Sequence, residues 1–209
     1  TMKTLAKILS VGAIVSGSLL TSSVASADVS YNVGFVSEYY YRGIYQKNAS
    51  ASAGIDYEQS GFYAGAWTAD VGDGLEVDGY LGYGGEVGDF SYGVGFTGYY
   101  YTGDFDETYE EVNLSAGYGP VSIGYSIGEW DGDGGTDYDF LEVSIDLGAG
   151  FYGLYGSFGD EFDGDYFELG YGTTVSEIDL GVALIFPSDE LEGTDNAAGE
   201  GITLSIGKS

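Results

Sequence analysis

The sequence has no cysteine, no histidine, two prolines and only five basic residues among its 209. Without cysteine there is no disulfide, and without cysteine or histidine there is neither a thiolate-ligated zinc site nor a histidine-ligated metal site. The same absences exclude Ser-His-Asp and Cys-His catalysis. A carboxylate pair could in principle cleave glycosides, but no pair stands out among 34 acidic residues, so we expect no enzyme.

Residues 1–27 have the three-part pattern of a secretory signal peptide. Lys3 and Lys7 form a basic start, residues 8–20 are apolar apart from Gly and Ser, and Ala25-Ser26-Ala27 is a small-x-small cleavage site. A membrane anchor is the alternative, but it needs about 18 uninterrupted apolar residues. We therefore expect residues 1–27 to be removed after export and residues 28–209 to form one domain.

The exported part of the chain is strongly acidic. It keeps Arg42, Lys47 and Lys208 as its basic residues, against all 34 acidic ones. This charge excludes nucleic acid as a partner. We expect Arg42 and Lys47 to pair with neighbouring acids, with contacts to lipid A phosphates as the alternative.

An alternation of apolar with small or acidic residues runs through residues 28–209, and no stretch has a helical period. The alternation is clearest where Val121, Ile123, Tyr125 and Ile127 are separated by Ser and Gly. About twelve strands are predicted, of the length that a tilted membrane strand needs. They cover residues 29–41, 49–57, 61–69, 75–83, 90–100, 112–118, 121–128, 141–148, 152–158, 167–171, 178–186 and 202–206.

The connections between these strands are predicted to alternate strictly between short and long. The short turns are 59–61, 88–89, 119–120, 148–150 and 174–177, and the longer polar links are 42–48, 70–74, 102–108, 131–137, 159–165 and 187–200. Such alternation is typical of an up-and-down barrel with one tight rim and one outer rim. We therefore predict an all-β fold, an antiparallel up-and-down transmembrane β-barrel of about 12 strands.

A soluble barrel or sandwich is the alternative fold, because many short strands with turn signals describe those folds as well. Two features favour the membrane. The face that is not apolar carries Gly, Ser, Ala and isolated acids, which suits a lumen better than a solvated exterior. The runs Tyr39-Tyr40-Tyr41 and Tyr99-Tyr100-Tyr101 lie near strand ends, where membrane barrels carry aromatic girdles.

Residues 29–85 resemble the TorF-type porin family of Gram-negative outer membranes. The resemblance is carried by Ser37-Glu38-Tyr39-Tyr40-Tyr41-Arg42-Gly43-Ile44-Tyr45-Gln46, by Gly54-Ile55-Asp56-Tyr57 with Ser60-Gly61-Phe62-Tyr63-Ala64-Gly65-Ala66-Trp67, and by Glu76-Val77-Asp78-Gly79-Tyr80-Leu81-Gly82-Tyr83. It implies an outer-membrane barrel that is handled by the barrel-assembly machinery. The sequence departs from such barrels at its end, Ile206-Gly207-Lys208-Ser209, which lacks the usual final aromatic residue.

Several acids fall on the small-residue face of the predicted strands, so their side chains are predicted to line the lumen: Asp56, Glu76, Asp78, Glu111, Glu142, Asp146, Glu168 and Asp179. Carboxylates along a narrow pore attract cations. The predicted function is therefore a porin for passive, cation-preferring diffusion of small cations or neutral solutes. The alternative is a non-conducting surface barrel, which inward Tyr80, Tyr99 or Tyr155 would plug.

The acidic link after the seventh predicted strand suggests weak ion binding. Asp131, Asp133, Asp137 and Asp139 follow a calcium-loop spacing only in part, because position 5 lacks an oxygen side chain and position 6 is not Gly. We expect no cofactor, with weak Ca²⁺ or Mg²⁺ binding here as the alternative. The expected location is the bacterial outer membrane, in contact with lipid and lipopolysaccharide, and homo-oligomerisation is left open.

Overall fold

The computed structural model describes residues 27–191 and 199–209. The predicted signal peptide lies outside the described residues except for Ala27, and its removal stays a prediction. The strands are β1 (Asp28–Tyr41), β2 (Ile44–Gln59), β3 (Phe62–Gly72), β4 (Gly74–Val87), β5 (Phe90–Tyr101), β6 (Tyr109–Tyr118), β7 (Val121–Trp130), β8 (Thr136–Gly148), β9 (Phe151–Asp160), β10 (Asp165–Val175), β11 (Ile178–Pro187) and β12 (Gly201–Lys208). A 3-10 turn, Gly132–Gly134, lies between β7 and β8.

The twelve strands form one closed antiparallel barrel. Each strand pairs with its neighbours in sequence, and β1 pairs with β12 from Val33↔Lys208 to Val36↔Ser205. This pairing joins the two strands that would otherwise be the edges of the sheet. The predicted up-and-down barrel of about 12 strands is confirmed. Within the described residues, no helix is both long and apolar enough to cross a membrane.

One rim of the barrel consists of five two-residue turns, and we call it the turn rim. Ser60-Gly61 has φ values of 53° and 88°, and Ser176-Glu177 has 51° and 67°. Two consecutive positive φ values make a type I′ turn, whose twist matches that of the strands it joins. The start of β1 and the end of β12 lie at this rim as well, because Asp28 pairs with Glu58 and Gly207 with Asp179.

The opposite rim, called the loop rim, differs from the prediction of strictly alternating turns. β1 and β2 are joined by Arg42-Gly43 alone, and β3 ends at Gly72 just before β4 begins at Gly74. In the described part of the chain, the links 102–108, 131–135 and 161–164 are longer, and residues 188–200 separate β11 from β12. The polar residues after Arg42 do not form a loop, because they pair with β1 as the start of β2.

The two faces of the barrel have opposite chemistry. On β6, Val112 and Leu114 are exposed on the outside, whereas Glu111 points inward and is buried. The same alternation runs along the other strands, so the outer surface is made largely of exposed Val, Leu, Ile, Phe and Tyr side chains. An apolar exterior around a polar interior is typical of barrels that span a membrane.

Glycine and tyrosine are abundant because they pack against each other inside the barrel. A Cβ atom on Gly65 would overlap the ring of Tyr80, and one on Gly82 would overlap the ring of Tyr63. Tyr152 covers Gly170 in the same way. These three inward tyrosines therefore lie on the bare backbone of a neighbouring strand, which lets large rings fit inside a barrel of twelve strands.

The predicted aromatic girdle at the tyrosine runs is wrong. Tyr39, Tyr40 and Tyr99 are buried, and Tyr100 alone of the second run is exposed on the outside. The hydroxyls of Tyr39 and Tyr99 instead bond the inward acids Glu76 and Glu111. Exposed aromatic side chains gather near the turn rim, at Phe62, Tyr83, Phe90, Tyr92, Tyr118 and Phe151.

Candidate functional site in the barrel lumen

Small side chains meet across several strand pairs on the inner face of the barrel. There Gly34 faces Ser52, Gly93 faces Ser115, and Gly181 faces Ser205 across neighbouring strands. A Cβ atom on any of these glycines would approach the opposite serine hydroxyl. At these positions the inner face of the barrel therefore carries little side-chain volume.

Towards the loop rim, the tip of the first hairpin folds into the lumen. We call residues 40–45 the hairpin plug. The pairing of β1 with β2 shifts between Tyr39 and Tyr40, where β2 carries the extra residue Gln46, and such a bulge bends a strand. A Cβ atom on Gly43 would overlap the ring of Tyr166 on β10, so the tip reaches strands well removed from its own.

Arg42, at the turn of the hairpin plug, crosses the lumen. In the closed ring β7 lies six strands from β1 in either direction, and the guanidinium of Arg42 bonds residues on β6 and β7. Its two terminal nitrogens donate to Glu111 at 2.8 and 3.0 Å and to Ser126 at 3.3 Å. It also lies 4.3 Å from the ring centre of Phe140, a cation–π contact.

Glu111 is 1% exposed, and both oxygens of its carboxylate accept hydrogen bonds. Besides Arg42, its carboxylate accepts from the hydroxyls of Tyr99 at 2.8 Å and Tyr138 at 2.9 Å, and from the amide of Asn113 at 2.7 Å. A buried carboxylate is tolerated when a cation and further hydrogen bonds replace its hydration. The bidentate pair therefore holds the hairpin plug against the far wall.

Apolar side chains pack around this ion pair. Tyr40 of the plug joins a buried cluster with Tyr138, Phe140, Leu154, Phe158, Tyr166, Ile185 and Leu191. Ring contacts tie the cluster together, with Tyr138 stacked on Phe162 at 5.1 Å and Phe140 at 4.8 Å from Phe158. The lumen near the loop rim is thus filled by side chains in this conformation.

The eight predicted pore-lining acids fall into three positions. We call the half of the barrel next to the loop rim the loop half. Four of the acids are buried there, with exposures of 2, 4, 1 and 4%: Glu76, Asp78, Glu111 and Glu168. Asp56 and Glu142 are half-buried, and Asp56 accepts hydrogen bonds from Asn32 and Tyr80. Asp146 and Asp179 lie near the turn rim, where they bond Gly148 and Thr174. Their role in lining a pore stays a prediction.

The expectation that Arg42 and Lys47 pair with acids is confirmed, but the sequence did not place the partner of Arg42. Lys47 bonds Asp70 at 2.7 Å near the loop rim. The Arg42 pair joins residues 69 positions apart, and only the scarcity of cations marked Arg42 as a candidate.

Of the tyrosines predicted to plug the lumen, Tyr80 and Tyr99 point inward. Tyr155 lies on the outer face, 4.8 Å from the exposed ring of Phe167.

The acidic link between β7 and β8 does not gather its carboxylates. Asp131 is exposed just before the 3-10 turn and Asp133 is exposed within it, whereas Asp137 and Asp139 belong to β8. In the part of the chain that the structure describes, no group of three or more acidic side chains is placed to hold a metal ion. Weak Ca²⁺ or Mg²⁺ binding by these residues stays a prediction.

Sequence comparison identifies the family. Residues 21–161 match the family described as "Bacterial protein of unknown function (Gcw_chp)". The chain belongs to the Gcw_chp family. That description names no activity, and the match does not confirm the TorF-type resemblance, which stays a prediction. No curated protein sequence matches this Gcw_chp chain significantly.

Solved structures of several Pseudomonas aeruginosa proteins resemble the Gcw_chp barrel at low sequence identity. OccK2 (OpdF) in complex with glucuronate is 17% identical with a TM-score of 0.45, over 86% of this chain and 61% of that one. OpdK with vanillate is 16% identical with a TM-score of 0.40, over 78% and 57%. OccK9 (OpdG) is 14% identical with a TM-score of 0.43, over 77% and 54%. The chain thus spans about three fifths of the length of these proteins.

Proposed function

We propose that the protein is a channel of the bacterial outer membrane for passive, cation-preferring diffusion of small cations and small neutral solutes. The observation that carries this proposal is the inverted chemistry of the barrel, with apolar side chains outside and carboxylates inside. A bilayer covers such an exterior, and Tyr and Phe near the turn rim suit the interface with water. Lipid and lipopolysaccharide would surround the barrel, after signal-peptide export and insertion by the barrel-assembly machinery.

The charge of the lumen supports the preference for cations. Four buried carboxylates point into the loop half, and Arg42 is the one buried basic residue in the described part of the chain. Carboxylates inside a low-dielectric wall repel anions and concentrate cations. The TorF-type resemblance points to the same class of protein.

The hairpin plug makes this conformation the closed state of the proposed channel. Twelve strands enclose less space than the 16–18 strands of general porins, and here the plug and the aromatic cluster fill the loop half. Passage therefore requires the tip of the first hairpin to move out of the lumen. The bidentate, charge-assisted Arg42–Glu111 pair opposes this movement.

Single-channel recording tests the proposal. Residues 28–209 are refolded and placed in a planar bilayer under a KCl gradient, and wild type is compared with Arg42→Ser. We expect brief cation-selective openings in wild type and longer or larger ones in the variant, because its plug has lost the far-wall anchor. Lys47→Ser is the matched control, since Lys47 lies on the same hairpin but bonds Asp70 rather than Glu111.

Anion-selective reversal potentials, or equal gating in Arg42→Ser and Lys47→Ser, would contradict this function. A second function is favoured by the aromatic cluster that fills the loop half. In that case the protein is a non-conducting surface barrel whose acidic outer loops bind divalent cations or partners. A folded barrel that stays silent in wild type and in Arg42→Ser, together with saturable Ca²⁺ binding, would establish this second function.

A further inference from the structure

Glu76 and Asp78 are two buried acids on β4 that Arg42 does not neutralise. Because they are two residues apart on one strand, both side chains point to the same face, here the lumen. Glu76 accepts a hydrogen bond from the hydroxyl of Tyr39 at 2.8 Å. One carboxylate oxygen of Asp78, Oδ1, is buried without any hydrogen-bond partner among the described residues.

The neighbours of Asp78 do not supply a donor to this oxygen. Trp67 on β3 and Tyr99 on β5 lie directly opposite Asp78 across the two strand pairs. The hydroxyl of Tyr99 donates to Glu111, and the indole N–H of Trp67 is itself buried without a partner. A buried acceptor and a buried donor thus occupy opposed positions without bonding each other, whereas buried polar groups are normally satisfied.

The described cations are all engaged elsewhere. Arg42 pairs with Glu111, Lys47 with Asp70, and Lys208 with Glu177 near the turn rim. Glu76 and Asp78 therefore have no compensating positive charge from the described part of the protein. Two adjacent buried carboxylates without a counter-charge are strongly unfavourable, so a cation or a proton must come from solution.

We propose that Glu76 and Asp78 together bind one small monovalent cation, Na⁺ or K⁺, through their carboxylate oxygens. Two carboxylates suit a monovalent ion, because Ca²⁺ takes six to eight oxygen ligands and no described group of three acids is placed to hold a metal. A water molecule bound to such an ion would also accept a hydrogen bond from the Trp67 N–H. A role for this site in binding cations that pass through the barrel rests on the proposed channel function. The binding of a cation by Glu76 and Asp78 does not depend on that function.

Binding is measured on refolded protein in detergent micelles, where no conduction is needed. Line broadening of ²³Na NMR on adding protein reports bound Na⁺, and K⁺ competes it away. We expect broadening in wild type and its loss in Asp78→Asn. Asp89→Asn is the matched control, because Asp89 is an exposed acid in the turn between β4 and β5, outside the set of lumen acids, and this variant should broaden the signal like wild type. The unfolding temperature should rise with NaCl over choline chloride at equal ionic strength, but not in Asp78→Asn.

Equal broadening in Asp78→Asn and wild type, or none in wild type, would overturn the site; in the latter case the carboxyl carries a proton instead. If Asp78→Asn does not fold, judged by heat-modifiable migration, Glu76→Gln takes its place in the same comparison. The two proposals fail separately. Broadening that depends on Asp78 in a barrel that stays silent in bilayers would refute the channel alone. Cation-selective conduction with broadening unchanged by Asp78→Asn would refute this site alone.

Discussion

Replacing Arg42 by Met should destabilise the barrel strongly, because it leaves Glu111 buried without its cation. Breaking a buried ion pair from one side costs about 3–5 kcal/mol. Glu111 keeps three donors, from Tyr99, Tyr138 and Asn113. We therefore expect the lower end of that range, about 3 kcal/mol of unfolding free energy. Met retains much of the length and packing of the aliphatic part of the arginine side chain. The loss of unfolding free energy therefore reports the missing positive charge more than the missing side-chain volume.

Adding Glu111→Gln to Arg42→Met should restore stability rather than reduce it further. Gln removes the uncompensated charge while keeping a carbonyl that accepts hydrogen bonds, so we expect the double variant to regain about 2 kcal/mol over Arg42→Met. The assay is urea unfolding in micelles or lipid vesicles, followed by the fluorescence of Trp67 and Trp130.

Lys47→Met serves as the control for this series. It breaks a pair that is partly open to solvent, with side-chain exposures of 21 and 43%, and should cost less than about 1 kcal/mol. The reasoning fails if Arg42→Met costs no more than Lys47→Met. It fails equally if the double variant is less stable than Arg42→Met, because Glu111 would then not need the guanidinium.

Two further predictions concern the packing inside the barrel and its lipid-facing surface. Gly82→Val should lower the unfolding free energy by about 1–3 kcal/mol, because the new side chain overlaps Tyr63, whereas Gly79→Ala, with open space around its Cβ position, should be close to neutral. Equal losses for the two glycines in urea unfolding would argue against the packing of Tyr on Gly. Leu114→Lys, on the outer face of β6, should cost about 2–4 kcal/mol in lipid vesicles, and Tyr118→Lys, beside the turn rim, about 0–1 kcal/mol. Costs independent of depth would mean that this surface does not face a bilayer.

The strands were predictable because their periodicity is local. Alternation over residues 121–128 predicts a strand with one apolar face, and β7 runs from Val121 to Trp130. Turn chemistry is local too, and Ser60-Gly61 and Gly119-Pro120 are turns in the structure as predicted. The strand count and the closure into a barrel follow from these two signals together.

The first hairpin was not predictable in the same way. Residues 42–48 are largely polar and resemble a loop, yet residues 44–48 are the start of β2 and pair with β1. The bulge at Tyr39 and Tyr40 bends this hairpin, and its tip turns inward. The tyrosine runs resemble interfacial girdles, but Tyr39 and Tyr99 find carboxylate partners inside the barrel. A tyrosine suits either environment, since its ring is apolar and its hydroxyl polar, so composition could not decide between them.

By itself, the sequence determined the strands, the alternation of an apolar with a small or acidic face along them, and the absence of histidine and cysteine chemistry. These properties depend on residue type and on spacing within a few positions. Only the tertiary structure decided that Arg42 reaches Glu111 across the barrel and that the loop half is filled. It also decided that Asp78 lies beside Trp67 without a donor. Such contacts join residues that are far apart in the chain, and ring closure sets which walls face each other, so no local pattern encodes them.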